Sequence, residues 1–200
     1  MQSSVLVQPN NARSRLAVLV NQYGYSEQVP NWVCAYNNRI SGNRTVGAIA
    51  LKLIKVADRR LGETEEVRNW EGDVEVWSSR VRTLVDAVYD WSRFNTLPRA
   101  YRWIRVDLAE GKVKPEELVR VTLRYGDVGT IRRMGALLER EGVEERLLRK
   151  LQRRLRSTSS PIPMAPRLPK RGKIDPRWGV VWNEADLGRP ENSPVRCPRT

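Results

Sequence analysis

Histidine is absent from the 200-residue sequence, and its absence excludes several kinds of catalytic and metal site. Without an imidazole there is no Ser–His–Asp triad, no Cys–His dyad and no histidine-ligated metal. The two cysteines, Cys34 and Cys197, are too few for a disulfide scaffold and too far apart for a CxxC motif. This cysteine usage is typical of a reducing compartment, so the sequence predicts a cytoplasmic protein.

Carboxylates and serines are the remaining candidates for catalysis. Asp86 and Asp90 are four positions apart on a predicted helix, a spacing that places two acids on one face. No third ligand or base accompanies them, so we interpret both as polar-face residues. A loose acidic cluster at 63–75 is interpreted as offsetting nearby arginines rather than holding a metal. Ser78 and Ser79 lack a partner base. The sequence therefore predicts no enzyme, no metal site and no cofactor.

Positive charge is the dominant feature of the composition. Lys and Arg number 36 against 23 acids, a formal net charge of +13 at pH 7. Ten of the cations lie between Arg146 and Lys173, a stretch that contains no Asp or Glu. Such a concentration attracts negatively charged partners through salt-sensitive forces and costs stability by self-repulsion. We therefore favour a binding role for this stretch over the alternative of a solvated helix face that only maintains solubility.

The N-terminal part of the chain is predicted to form a small antiparallel sheet. Residues 1–13 read as an N-terminal arm, and a short helix is expected at 12–22. Strands are predicted at 31–36 and 46–56, joined by a hairpin loop rich in Asn and Gly. Two shorter strands are expected at 65–69 and 74–77. The predicted sheet thus spans residues 31–77.

The apolar spacing becomes helical from residue 79 to residue 156. Val81, Leu84, Val85 and Val88 form the stripe of a core-facing helix, and further stripes follow for about five helices in all. Four prolines between 161 and 169 predict an extended basic segment, followed by a strand at 178–183 that returns to the sheet.

The predicted fold class is α+β, a small antiparallel or mixed sheet packed against that helical bundle. One domain is expected at 14–183, with a flexible tail at 184–200 and no membrane-spanning segment.

Five stretches of the sequence, taken in order, carry a family resemblance. Residues 14–30 read SRLAVLVNQYGYSEQVP, residues 81–86 read VRTLVD, and residues 125–139 read YGDVGTIRRMGALLE. Residues 169–172 then read PKRG, and residues 178–183 read WGVVWN. In this order and spacing the stretches resemble the AbiEi family, the antitoxins of type IV toxin–antitoxin systems. The run 125–139 resembles the family's signature most closely, whereas Val81 stands where an acid is usual.

The resemblance implies an antitoxin that antagonises a nucleotidyltransferase-like toxin. It covers the C-terminal antitoxin domain, and the N-terminal winged helix–turn–helix of the family is not expected here, which puts autorepression in doubt. Within the best-matching run, Arg132 and Arg133 are adjacent and about 100° apart on a helix. We expect one of them to flank the core beside an acid and the other to reach solvent. Gly135 is expected to allow close helix–helix approach.

Two hypotheses for function follow. The first is an antitoxin-like regulatory protein with a basic helical surface, which either docks on an acidic face of the toxin or competes for the toxin's nucleic-acid or nucleotide target. The second is a DNA- or RNA-binding protein that uses the stretch 146–173. For both, the predicted contact residues are Arg132, Arg133, Arg149, Arg153, Arg154, Lys170 and Arg171.

Overall fold

The computed structural model describes residues 23, 25, 32–46, 49–68, 72, 74–156 and 160–184. The predicted arm at 1–13 and helix at 12–22 lie outside these residues, and so does the predicted tail beyond 184. The chain divides into two compact units, one ending at Thr83 and the other beginning at Leu84. The α+β fold class is confirmed, whereas the single domain at 14–183 stays a prediction.

A mixed three-stranded sheet forms the centre of the first unit. It contains β1 (Trp32–Asn37), β2 (Gly42–Val46) and β3 (Ile49–Lys55), in the order β1-β3-β2. Strand β3 runs parallel to β1 and antiparallel to β2. The fully antiparallel arrangement is therefore wrong for this sheet. The segment predicted as a hairpin loop contains β2, and this additional strand reverses the chain so that β3 can pair parallel to β1.

A separate hairpin completes the strands of the first unit. Strands β4 (Thr64–Arg68) and β5 (Val74–Ser78) pair antiparallel, with Thr64 opposite Ser78. This pairing confirms the two short strands predicted at 65–69 and 74–77. They form a two-stranded sheet of their own and are not hydrogen-bonded to β1, β2 or β3.

Six helices follow among the described residues. Their bounds are α1 (Arg80–Tyr89), α2 (Trp91–Phe94), α3 (Arg99–Ala109), α4 (Pro115–Tyr125), α5 (Val128–Arg140) and α6 (Glu145–Gln152). Local signals set the starts of α4 and α5. Pro115 occupies the first turn of α4, where its missing N–H costs no hydrogen bond. The Asp127 side chain accepts from the Thr130 backbone N–H at 2.7 Å and caps α5. No helix in the described part of the chain is long and apolar enough to cross a membrane.

The C-terminal part of the second unit forms its own small sheet. Strands β6 (Ile162–Pro163), β7 (Lys173–Asp175) and β8 (Val180–Trp182) lie in the order β6-β8-β7. The central strand β8 pairs parallel to β6 and antiparallel to β7. The predicted return of the last strand to the N-terminal sheet is therefore wrong. The basic segment before β8, which was predicted to be extended, contains β6 and β7. Both strands that pair with β8 are therefore close to it in sequence.

Candidate functional site

Arg132 lies in the interior of the second unit, although it was predicted as a contact residue. The residue is 5% exposed. Its Nε donates to the Trp178 carbonyl at 2.8 Å, and its Nη2 donates to the Ser160 carbonyl at 2.9 Å and to the Gly179 carbonyl. Burial lowers the pKa of Arg132, and the charge of Arg133 lowers it further. One guanidinium thus fixes both the beginning and the end of the segment 160–184 against α5.

Arg133 is buried beside it, at 7% exposure. Its Nε donates to the Pro163 carbonyl at 3.2 Å, and its guanidinium carbon lies 5.7 Å from the centre of the Trp91 ring. Burial lowers the pKa of Arg133, while electrostatic interactions with Tyr101 and Asp127 act in the opposite direction. The expectation that one arginine of this pair reaches solvent is wrong. All residues from Thr130 to Leu138 are buried, so α5 has no solvent-facing side over this length.

Gly135 gives the Trp178 ring room to lie against α5. A Cβ at position 135 would overlap the six-membered ring of Trp178. The indole Nε1 donates to Glu139 Oε2 at 2.6 Å, and Arg177 pairs with the other oxygen of that carboxylate. The close approach at Gly135 is therefore to a tryptophan ring and not to another helix, which corrects the expectation from sequence. The run 125–139, which resembles the family's signature most closely, thus includes most of α5. This part of α5 contacts the segment 160–184.

The chain between β6 and β7 forms a loop that is fixed at its base. Asn183 Oδ1 accepts from the Ala165 N–H at 2.9 Å, and its Nδ2 donates to the carbonyls of Ala165 at 2.8 Å, Leu168 at 3.3 Å and Pro169 at 3.2 Å. Gly172 passes so close to the Trp182 carbonyl that a Cβ would overlap it. The sequence pointed to Gly172 and Asn183 only through the family resemblance. Their contacts could not be inferred locally, because the hydrogen bonds of Asn183 reach residues up to 18 positions away.

This loop and the first residue of β7 together carry four exposed cations. We call residues 167–173 the basic loop; its cations are Arg167, Lys170, Arg171 and Lys173, all exposed. Two of them, Lys170 and Arg171, are predicted contact residues. Since Asn183 and Gly172 determine the path of the backbone on either side, the charges project from a defined loop and not from a flexible tail.

The end of α6 carries a second group of exposed cations. Arg149 lies within the helix and pairs with Glu145 at 3.1 Å, so its charge is partly compensated. Beyond it, Lys150, Arg153, Arg154 and Arg156 are exposed. We call these four residues the basic helix end. The predicted apolar stripe is confirmed for Leu147, Leu148 and Leu151, which are buried, whereas its fourth member, Leu155, is half-buried and lies beyond the helix.

The seven predicted contact residues thus separate into two environments. Arg132 and Arg133 are buried and hydrogen-bonded to main-chain carbonyls, whereas the other five are exposed. Eight exposed cations in the stretch 150–173 form no ion pair with any residue that the structure describes. They are Lys150, Arg153, Arg154, Arg156, Arg167, Lys170, Arg171 and Lys173.

A shallow groove of about 530 Å³ lies beside the basic loop and was not found from sequence. The Arg140 guanidinium covers the Trp182 ring at 4.2 Å from its centre. Lys173 lines the groove together with the acids Asp175 and Glu184. Burial and the charge of Arg105 lower the pKa of Arg140. The formal charges of the two cations and two acids cancel, so the groove has no excess of either sign.

Asp86 and Asp90, both interpreted from sequence as polar-face residues, lie in different environments. Asp86 is fully buried, which corrects the expectation that it decorates the polar face of its helix. Asp90 lies nearer the surface, 3.5 Å from Arg93. The described residues contain no group of three His, Cys, Asp or Glu side chains that could hold a metal ion.

The chain matches no family model, no curated protein and no solved structure.

Proposed function

We propose that this chain is a non-enzymatic regulatory protein, of the antitoxin type, that binds a negatively charged macromolecule. The supporting observation is the set of eight exposed cations at 150–173 that lack an acidic partner among the described residues. Like charges held on one folded segment repel each other, so their accumulation costs stability unless a partner supplies the opposite charge. Arg132 and Arg133 support the scaffold in this proposal and do not contact the partner.

The family resemblance implies antagonism of a nucleotidyltransferase-like toxin, either by docking on an acidic face of the toxin or by competing for its nucleic-acid or nucleotide target. The basic loop supports a binding role because its backbone is fixed before a partner arrives. A preorganised loop loses little conformational freedom on binding, which favours affinity for a given number of contacts. The basic helix end extends the same positive stretch along the sequence.

Co-expression with a nucleotidyltransferase-like toxin tests the proposal, with growth rescue as the readout. The test variant reverses Arg153, Arg154, Lys170 and Arg171 to Glu. The control reverses the same number of exposed cations elsewhere in the second unit, Arg99, Arg102, Lys114 and Arg124. We expect the test variant to lose rescue and the control to keep it. Full rescue by a folded test variant would overturn the role of the basic stretch.

Nucleic-acid binding is the second candidate, favoured by the absence of any acid between Arg146 and Lys173. Phosphates compensate such charge through counterion release, and the logarithm of the binding constant falls by about 0.9 per contacted phosphate for each tenfold rise in salt. Titration of the chain with duplex DNA and with single-stranded RNA over a range of salt measures this slope. A slope near zero at low salt would remove this candidate.

A further inference from the structure

We infer that the outer edge of β5 binds an extended segment of another protein, one in which apolar and basic residues alternate. The edge belongs to the first unit, so the inference is separate from the proposed function, which depends on cations of the second unit. Three features of the hairpin β4–β5 support it: the direction of the backbone groups, the side chains along the two edges, and the charge.

The phase of the hydrogen-bond ladder follows from a contact at the end of the hairpin. Thr64 lies opposite Ser78, and the Ser79 N–H, one position further along, donates to the Glu63 carbonyl at 3.0 Å. In an antiparallel ladder, hydrogen-bonded and non-hydrogen-bonded pairs alternate. Glu63 and Ser79 form the first kind of pair, so Thr64 and Ser78 form the second. The N–H and C=O groups of a non-hydrogen-bonded pair point away from the partner strand.

The same phase applies to Val74 and Val76, which precede Ser78 by four and two positions. Their N–H and C=O groups therefore point to the outer edge of β5. This sheet has no third strand among the described residues, and no described backbone group bonds to either valine from the outer side. At the end of the edge, the Ser78 carbonyl accepts from the Tyr23 hydroxyl at 2.7 Å. The open part of the edge thus runs from Val74 to Val76, and such an edge can pair with an added strand.

The side chains distinguish this edge from the outer edge of β4. Glu65, Glu66 and Arg68 of β4 are all exposed, and charged side chains on an edge strand oppose pairing with another chain. On β5, Val74 is 50% exposed and Val76 is half-buried. A two-stranded hairpin is only marginally stable in water by itself, and a third strand adds contacts between neighbouring side chains. An added strand is therefore expected on β5 and not on β4.

Charge complementarity selects the chemistry of the added strand. Residues 63–75 contain six acids and one cation, Arg68. Glu66 is exposed and forms no ion pair with a described residue. Opposite charges on neighbouring strands stabilise pairing, whereas like charges oppose it, so a second copy of this acidic hairpin is a poor partner. Since β5 reads Val-Glu-Val at 74–76, the complementary pattern is apolar, basic, apolar in an extended segment.

Two fluorescein-labelled heptapeptides serve as probes for the full chain, one of alternating valine and lysine and one of alternating valine and glutamate. Binding is measured by fluorescence anisotropy at low and high salt, and the amide exchange of Val74 and Val76 is followed by NMR. We expect the lysine peptide to bind, to slow the exchange of both amides and to bind more weakly at high salt. The glutamate peptide is the matched control and should not bind.

Proline variants of the full chain locate the edge that pairs. Val76→Pro removes an N–H that points outward, so the hydrogen bonds between β4 and β5 remain. Glu66→Pro makes the same change directly opposite, on the outer edge of β4, and Glu66→Gln controls for its loss of charge. We expect Val76→Pro to weaken binding of the lysine peptide about tenfold or more, because a hydrogen bond is lost and the proline ring obstructs the added strand. Glu66→Pro should bind the peptide as Glu66→Gln does.

Each of the following results overturns the inference. Binding of both peptides alike, or of neither, would show that charge or the edge has no part in recognition. Equal loss of binding in both proline variants, or loss in Glu66→Pro alone, would show that the added strand does not lie on β5. Slow exchange of the Val74 and Val76 amides without peptide would show that the edge is already paired within the chain. If Val76→Pro fails to fold, amide exchange in the parent chain is the test, and exchange that bound peptide leaves unchanged overturns the inference.

Discussion

Arginines occur in two regions of the second unit, and they have a different role in each region. In α5, Arg132 and Arg133 are buried and donate to four main-chain carbonyls of the segment 160–184. In the basic loop, Arg167 and Arg171 are exposed and form no ion pair with a described residue. The buried pair fixes the segment 160–184, and that segment contains the exposed cations of the basic loop. Residue type alone therefore does not separate structural from binding arginines; burial and the available acceptors do.

Among the changes that test this comparison, Arg132→Ala is expected to lower the free energy of unfolding the most. The change removes the shared donor of the carbonyls of Trp178, Ser160 and Gly179, of which Gly179 keeps the Ile162 N–H as a partner. Loss of a hydrogen bond that involves a charged group costs about 1.5–3 kcal/mol. We expect the free energy of unfolding to fall by about 3 kcal/mol, measured by urea denaturation of the full chain. Arg132→Lys should recover part of the loss, because one ammonium cannot reproduce the planar guanidinium fork. A loss below about 1 kcal/mol would contradict the structural role.

Gly135→Ala tests the contact between α5 and Trp178. The added methyl group overlaps the indole ring, and forced overpacking of a core costs about 1–3 kcal/mol. We expect a destabilisation of about 2 kcal/mol by thermal or urea unfolding. Gly129→Ala is the matched control, since a Cβ there meets its neighbours at ordinary distances of 3.4 Å and longer. The contact is disproved if both variants are equally stable.

Acid should weaken the attachment of the C-terminal segment to α6. Hydrogen bonds from Arg177 and then Arg149 hold the pKa of Glu145 below its ordinary value of 4.5. A depressed pKa in the folded state means stability that is present above the unfolded value and lost as the pH falls through the folded value. We expect the melting temperature to decrease below about pH 4.5, and Glu145→Gln to reduce this dependence without removing it. Identical pH profiles would exclude a contribution from Glu145.

Reversal of Lys170 and Arg171 to Glu should have the smallest effect on stability. Both side chains are exposed and lack acidic partners among the described residues, so the change removes repulsion and breaks no ion pair. We expect a shift in the free energy of unfolding within about 0.5 kcal/mol, together with loss of toxin rescue. Destabilisation as large as that of Arg132→Ala would show that the loop cations support the fold and would abolish the contrast between the two regions.

Local signals in the sequence were sufficient for five of the six helices and for the distribution of charge; the four-residue helix α2 was not predicted. Pro115 marks the start of α4 through its missing N–H, and Asp127 marks the start of α5 through its capping side chain. The buried stripe of α6 follows from the spacing of Leu147, Leu148 and Leu151. The resemblance also drew attention to the run 125–139, although it did not tell what the run does. The concentration of cations at 146–173 was evident from the sequence alone, because that stretch contains no Asp or Glu.

Only the tertiary structure decided which strands pair and which arginines are buried. The parallel pairing of β1 with β3, and the separate sheet of β6, β7 and β8, depend on partners that no local pattern specifies. Arg132 meets the Trp178 carbonyl across 46 positions of sequence, and such a contact forms only when α5 and the segment 160–184 pack together. The amino-acid sequence thus determined where the charge lies along the chain. Packing determined which of these charged side chains face water. A buried guanidinium requires hydrogen-bond acceptors, and the fold supplies them from carbonyl groups that are distant in sequence.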